Sequence, residues 1–157
     1  MSASVKPIPD GYHSVTPYLY LRNAEAMIEF YKRAFGATEV LRMDGPDGRI
    51  GHAELQIGSS RIMLADESPN MKAFSPLHYG GASSSLMLYV ENVDEVIAQA
   101  VAAGARITRP IADQFYGDRT GGIEDPSGQQ WYVATHIKDV SPEELQQGAA
   151  AAAANQS

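Results

Sequence analysis

Gly51-His52-Ala53-Glu54-Leu55-Gln56-Ile57 alternates between small or apolar residues (Ala53, Leu55, Ile57) and hydrogen-bonding ones (His52, Glu54, Gln56). Strand side chains point to opposite faces with a period of two. The stretch therefore predicts a strand with one face in a core and the other presenting an imidazole, a carboxylate and an amide. The same trio would serve equally as a solvated surface with a cross-strand pair, so its neighbours must decide. Downstream, Gly58-Ser59-Ser60 is a tight turn and Arg61–Asp66 its hairpin partner. Upstream, Asp44-Gly45-Pro46-Asp47-Gly48 is a dense turn signal, preceded by a strand at Thr38–Met43.

Further upstream, Val15–Leu21 alternates with Thr16, Tyr18 and Tyr20 on one side. Pro17 cannot donate to a ladder, so this strand is an edge or the Pro17 nitrogen faces outward. Asn23 is a good N-cap for a helix over Ala24–Phe35, whose stripe is Ala26, Met27, Phe30, Tyr31 and Ala34, and Gly36 ends it. The first half thus reads strand, helix, three strands.

The pattern then starts again. Ser84–Val90 alternates, Asn92 caps a helix over Val93–Ala103, and Gly104 closes it. Arg106–Arg109 is strand-like and Ile111–Gly122 reads as loop. A strand near Gly122–Asp125, the turn Asp125-Pro126-Ser127-Gly128 and a last strand at Gln129–His136 complete the half. Three landmarks recur: Asn23 and Asn92, Gly36 and Gly104, Gly58 and Gly128 lie 69, 68 and 70 residues apart. This predicts an α+β chain of two paired βαβββ modules, residues 12–66 and 84–138, joined by a linker at 67–83. Paired, they would form a curved mixed sheet with helices outside and a concave groove, which suits a ligand. Asp66-Glu67 reads as closing a hairpin. Ser141-Pro142-Glu143-Glu144 is a capping box, so residues 141–157 read as a short helix and a flexible Ala-rich tail.

Composition excludes several classes. A net charge of −7 without a Lys/Arg cluster argues against nucleic acid. The absence of cysteine removes disulfides, thiolate metal sites and a cysteine nucleophile, and fits a reducing cytosol. No apolar run is long enough to cross a membrane, and Met1–Asp10 lacks the apolar core of a signal peptide. The expectation is a cytoplasmic protein that handles a small molecule or another protein.

Val15-Thr16-Pro17-Tyr18-Leu19-Tyr20-Leu21-Arg22-Asn23, with Glu29-Phe30-Tyr31 and Phe35-Gly36-Ala37, resembles the opening of the vicinal oxygen chelate superfamily. That group includes glyoxalase I, bleomycin-resistance proteins and extradiol dioxygenases. Tyr116-Gly117-Asp118-Arg119, Asp125-Pro126-Ser127-Gly128-Gln129-Gln130-Trp131, His52-Ala53-Glu54-Leu55 and Ala134-Thr135-His136 are similar to its PhnB-like branch. The resemblance implies the paired βαβββ fold and, in the enzymes, a divalent metal held by His and carboxylate ligands in the groove. Carried over by strand register, the ligand positions fall on Thr16, Ser85, Met63 or Ile62, and Tyr132. None is a His, Asp or Glu, so no metal cofactor is expected, with a divalent metal on His52, Glu54 and His136 as the fallback.

The same register puts Tyr18, Tyr20, His52, Glu54, Gln56, Arg61, Met87, Tyr89 and Tyr132 on the groove face as ligand-binding candidates. Leu19, Leu21, Ala53, Leu55, Ile57, Ile62, Leu64, Leu86, Leu88, Val90, Trp131 and Val133 face the helices as core. Arg119 reads as structural, with anion binding as its alternative. The expected function is a homodimeric small-molecule binding protein of the bleomycin-resistance type, sequestering a neutral or cationic organic molecule. The alternatives are a metal-dependent lyase, isomerase or dioxygenase with displaced ligands, and a structural or protein-interaction domain.

Overall fold

The computed structural model describes residues 4–156; the start of the lead-in (1–3) and the last tail residue (157) lie outside the described residues. The first module runs β1 (Tyr18–Leu21), α1 (Ala24–Phe35), β2 (Thr38–Asp44), β3 (Ile50–Ile57) and β4 (Ser60–Asp66). The second runs β5 (Ser85–Tyr89), α3 (Val93–Ala103), β6 (Arg106–Asp113), β7 (Asp118–Glu124) and β8 (Gln130–His136). Each module forms its own four-stranded mixed sheet, ordered β1-β4-β3-β2 and β5-β8-β7-β6. The first strand of each is an edge strand, running parallel to the last strand of its module. That position leaves Pro17 free of any need to donate.

Both helices start and stop where their signals stand. Asn23 accepts from Ala26 N and Asn92 from Glu95 N, while Gly36 and Gly104 close the C-termini. The buried stripe of α1 is Ala24, Met27, Ile28, Phe30, Tyr31 and Ala34; Ala26 faces solvent and Ile28 takes its place. A second set of ties repeats between modules. Asp66 Oδ1 accepts from Ala24 N and Thr135 Oγ1 from Val93 N, each at 2.9 Å, at positions 69 apart. Each last strand thereby satisfies an N–H that the first turn of its helix leaves without an intrahelical partner. Asp66 Oδ2 also accepts from Ile50 N (2.7 Å), so it ties α1 to β3 and closes no hairpin.

The modules meet through α1 packed on α3. The Phe35 and Tyr31 rings of the first module lie 4.8 and 5.7 Å from that of Trp131 in the second. Beneath them sits Asp125, 3% exposed, whose carboxylate accepts from Tyr31 Oη (2.6 Å), Trp131 Nε1 (2.9 Å), the Ser127 N and Oγ, and Gln129 N. Burial, and next the charge of Asp125, hold the Tyr31 phenol well above its ordinary pKa. The Asp-Pro-Ser-Gly turn is thus also the joint between the halves.

Three stretches differ from expectation. The linker carries a 3-10 turn (Pro69–Met71) and a short helix α2 (Pro76–Tyr79), gathered by Glu67. That carboxylate accepts from Ser75 N and Oγ and from Arg22, and its carbonyl accepts from Arg49. Strands β6 and β7 extend through the segment read as loop. The loop-like residues have packing roles there: Pro110 lies on edge strand β6 beside register shifts, and Gly121 lies where a Cβ would meet Ile97 of α3 at 2.4 Å. Finally, α4 (Pro142–Ala154) runs on through the alanines. The capping box of Ser141 and Glu144 starts it, alanine is the best helix former, and Gly148 packs on Phe115 where any Cβ would clash.

Candidate functional site

The strand registers define two matching faces. In the first module Tyr18 pairs with Met63, Met63 with Glu54 and Glu54 with Leu41, forming one row across the sheet. In the second, Met87 pairs with Tyr132, Tyr132 with Gly122 and Gly122 with Arg109. On the opposite faces, Leu19, Leu21, Ala53, Leu55, Ile57, Ile62, Leu64, Trp131 and Val133 are buried, while Leu86, Leu88 and Val90 pack partly buried against that core.

Across the first face runs a hydrogen-bonded chain. Tyr18 Oη lies 2.8 Å from His52 Nδ1, and His52 Nε2 lies 3.0 Å from Glu54 Oε1. His52 and Glu54, two apart on one strand, do pair directly, with side chains 19% and 13% exposed. In the neutral imidazole, Nε2–H donates to the carboxylate and Nδ1 accepts the phenol proton. Burial, and then the charge of Tyr20, raise the Tyr18 pKa, which keeps the phenol protonated. In that state the atoms left without a partner are acceptors: the Tyr18 oxygen lone pair and Glu54 Oε2. Chemically the chain can orient a donor-bearing molecule and can pass a proton between the Tyr18 phenol and Glu54 through the imidazole.

Tyr18 and Tyr20, their rings 5.3 Å apart, separate two hollows. One, of about 540 Å3, is bordered by Phe74, Pro76 and Tyr79 of the linker; the other, of about 630 Å3, by the β2–β3 turn and Met71. The linker therefore covers part of this face without filling it.

The other candidates divide. Arg61 donates to Gln56 (3.0 Å) and stacks on Tyr12 at 4.6 Å, so this pair holds the lead-in. Arg61, Thr16 and Met87 border a cavity of about 150 Å3 between the modules. Met87 and Tyr132 also border one of about 230 Å3 with Arg109 and Thr120. Tyr89 donates to Asp118 (2.8 Å), whose other oxygen meets His136 Nδ1 at 2.7 Å, while His136 Nε2 meets Asp139 at 2.9 Å. Asp139, then Asp118, raise the His136 pKa, and the bond to Asp118 followed by burial raises that of Tyr89. Arg119 forks onto Asp94 and reaches Asp113, the structural role expected of it.

The fallback metal set fails on this geometry. His52 and Glu54 pair in the first module, while His136 is held by Asp118 and Asp139 in the second. Among the described residues no three His, Asp or Glu side chains are grouped to hold a metal ion. Thr16, Met63, Ser85 and Tyr132, at the inferred ligand positions, supply no such donors. The residues present do not fit the divalent metal that the resemblance implies for an enzyme.

Sequence reasoning missed the Asp118–Tyr89–His136 cluster and the full role of Asp125. An Asp two residues before Ser in a turn could have flagged the Ser127 bond, but nothing local points to Tyr31, 94 residues away.

Residues 12–133 match the model of the Glyoxalase/Bleomycin resistance protein/Dioxygenase superfamily. An uncharacterized protein of Mycobacterium bovis is 35% identical over 149 residues, spanning 93% of this chain and 94% of that one. Among solved structures, a gene product of Arabidopsis thaliana superposes with TM-score 0.64 at 25% identity, covering 78% of this chain and 98% of the other. A Pseudomonas aeruginosa protein gives 0.64 at 25% identity, with 80% and 99% covered.

Proposed function

The chain belongs to the Glyoxalase/Bleomycin resistance protein/Dioxygenase superfamily, and on that premise we propose that it binds a small organic molecule, neutral or cationic, without a catalytic metal. The observation that carries this reading is the Tyr18–His52–Glu54 chain, whose unused atoms are acceptors bordered by aromatic walls. A ligand N–H or ammonium group would meet Glu54 Oε2 and the Tyr18 oxygen while its apolar body lies on Tyr18 and Tyr20. Sequestration is the mechanism, and Met87, Tyr89 and Tyr132 would form the facing wall. The exposure of Tyr18 and Tyr20 (39% each), Met87 (47%) and Tyr89 (59%) supports a homodimer in which a second copy closes the groove. The PhnB-like reading rests on Tyr116-Gly117-Asp118-Arg119 and Asp125–Trp131. A cytoplasmic location is part of the same proposal, drawn from the missing cysteines; no described helix is long and apolar enough to cross a membrane.

The test is native mass spectrometry and elemental analysis of protein purified without chelator. The expected result is a dimer that retains an organic molecule and less than stoichiometric zinc, nickel, manganese or iron. About one such metal per chain, removable only by a chelator, would overturn the metal-free reading. A monomer at micromolar concentration would overturn the dimer.

A further inference from the structure

The second-module face carries a cavity of opposite chemistry to the site proposed above. About 230 Å3 in volume, it is lined by Met87, Arg109, Pro110, Gln114, Tyr116, Thr120 and Tyr132. Thr120 is 6% exposed, and its hydroxyl has no hydrogen-bond partner. A buried hydroxyl left unpaired is costly and uncommon, and on a residue that lines a cavity it marks a place for a polar atom of a ligand. Among the described residues every other arginine holds a carboxylate, a carbonyl or an amide oxygen. Arg109 alone has only a ring contact, its guanidinium 5.6 Å from the centre of Tyr132. Gly122 stands between Tyr132 and Arg109 in the sheet row, where the first module has Glu54, so no acid neutralises the arginine there.

Every charged or hydroxyl group bordering this cavity can donate, and no carboxylate borders it. The nearest buried acid along β7, Asp118, has its oxygens engaged by Tyr89 and His136. One guanidinium in a fork geometry matches a carboxylate. A phosphate dianion would call for more positive charge than one arginine supplies. Met87, the Pro110 ring and Tyr132 add a mostly apolar wall. We infer that this cavity is a second binding site, for a small carboxylate with a planar or apolar body. Its carboxylate lies on Arg109 and Thr120 Oγ1, and its body on Met87 and Tyr132. The site goes beyond the function proposed above, sharing only Met87 and Tyr132 with it.

The test is calorimetric titration of the full chain with benzoate, benzamide and inorganic phosphate, with benzamidine as a cationic probe of the first-module face. Benzoate should bind at least tenfold more tightly than benzamide or phosphate. Arg109→Gln should weaken benzoate tenfold or more. Thr120→Val, which keeps the shape and removes the hydroxyl, should weaken it several-fold while raising the melting temperature, since it removes an unpaired buried group. Arg33→Gln, the same charge change on α1, should leave benzoate binding unchanged. Equal binding of benzoate and benzamide, preference for phosphate, no benzoate binding at millimolar concentration, or an unaltered Arg109→Gln each overturns the carboxylate site. Benzamidine binding reads the first-module proposal separately, so failure of one site does not disguise failure of the other.

Discussion

The two modules share a backbone plan but use their open faces in opposite ways. Where the first has Leu41, Glu54, Met63 and Tyr18 across one row, the second has Arg109, Gly122, Tyr132 and Met87. The first row is completed by His52 into a chain ending in free acceptors, while the second ends in a guanidinium and lies beside an unpaired hydroxyl. By contrast, the ties that hold each helix to its last strand are conserved in position: Asp66 and Thr135 do the same work. A duplicated fold keeps what closes its core, because the orphan N–H groups of a helix start must be satisfied in both copies. The open face carries no such requirement, so its residues are free to diverge in charge.

The largest effect should come from the joint between modules. Asp125→Ala strands the Tyr31 hydroxyl, the Trp131 indole N–H and two backbone N–H groups in a buried site. A loss of about 3 kcal/mol or more is expected in urea unfolding. A loss below about 1 kcal/mol would mean the halves are joined by helix packing alone.

The paired ties come next. Asp66→Ala removes the acceptor for both Ala24 N and Ile50 N and should cost about 2 kcal/mol. Thr135→Val removes the acceptor for Val93 N and the donor to Val90 O, both neutral bonds, and should cost less, about 1 kcal/mol. If thermal and denaturant melts rank the two the other way, the equivalence of the ties is only positional.

Smaller in stability, but decisive for function, is Glu54→Gln. It preserves shape, so stability should change by no more than about 1 kcal/mol. Affinity for the molecule retained on purification should fall about tenfold, the cost of a lost charge-assisted hydrogen bond. Glu29→Gln, on the solvent side of α1, should leave that affinity alone. Equal behaviour of the two variants would reduce the first face to solvated surface.

The smallest effect concerns His136. Its pKa is raised above 6.5 in the folded chain by Asp139 and Asp118. Its contribution is therefore complete below pH about 6.5 and lost as pH rises through the higher folded value. The side chain is half-exposed, so solvent keeps the effect small. Melting temperatures taken from pH 5.5 upward should decline slightly across this range in the parent and not in His136→Asn. Identical profiles would show that the cluster carries no pH dependence.

Periodicity and punctuation in the chain specify the two-module plan on their own. The alternation of Gly51–Ile57, the caps at Asn23 and Asn92, and the stops at Gly36 and Gly104 are local signals, and a one-residue slip would turn a whole strand inside out. The same alternation separated one face from the other within each strand, and the register that the resemblance implied put Tyr18, His52 and Glu54 on one open face. Their bonding was not legible. Whether His52 reaches Glu54 and Tyr18 depends on β4 lying between β1 and β3, which only the assembled sheet decides. Tertiary context likewise made a strand of the Gly-rich β7, docked the alanine helix through Gly148 on Phe115, and drew Asp125 to a tyrosine in the other module. It also left Thr120 and Arg109 unpaired beside one another's cavity. Local rules describe what a residue can do with its near neighbours along the chain. Which partners it finds, or lacks, is set by contacts between residues far apart in sequence.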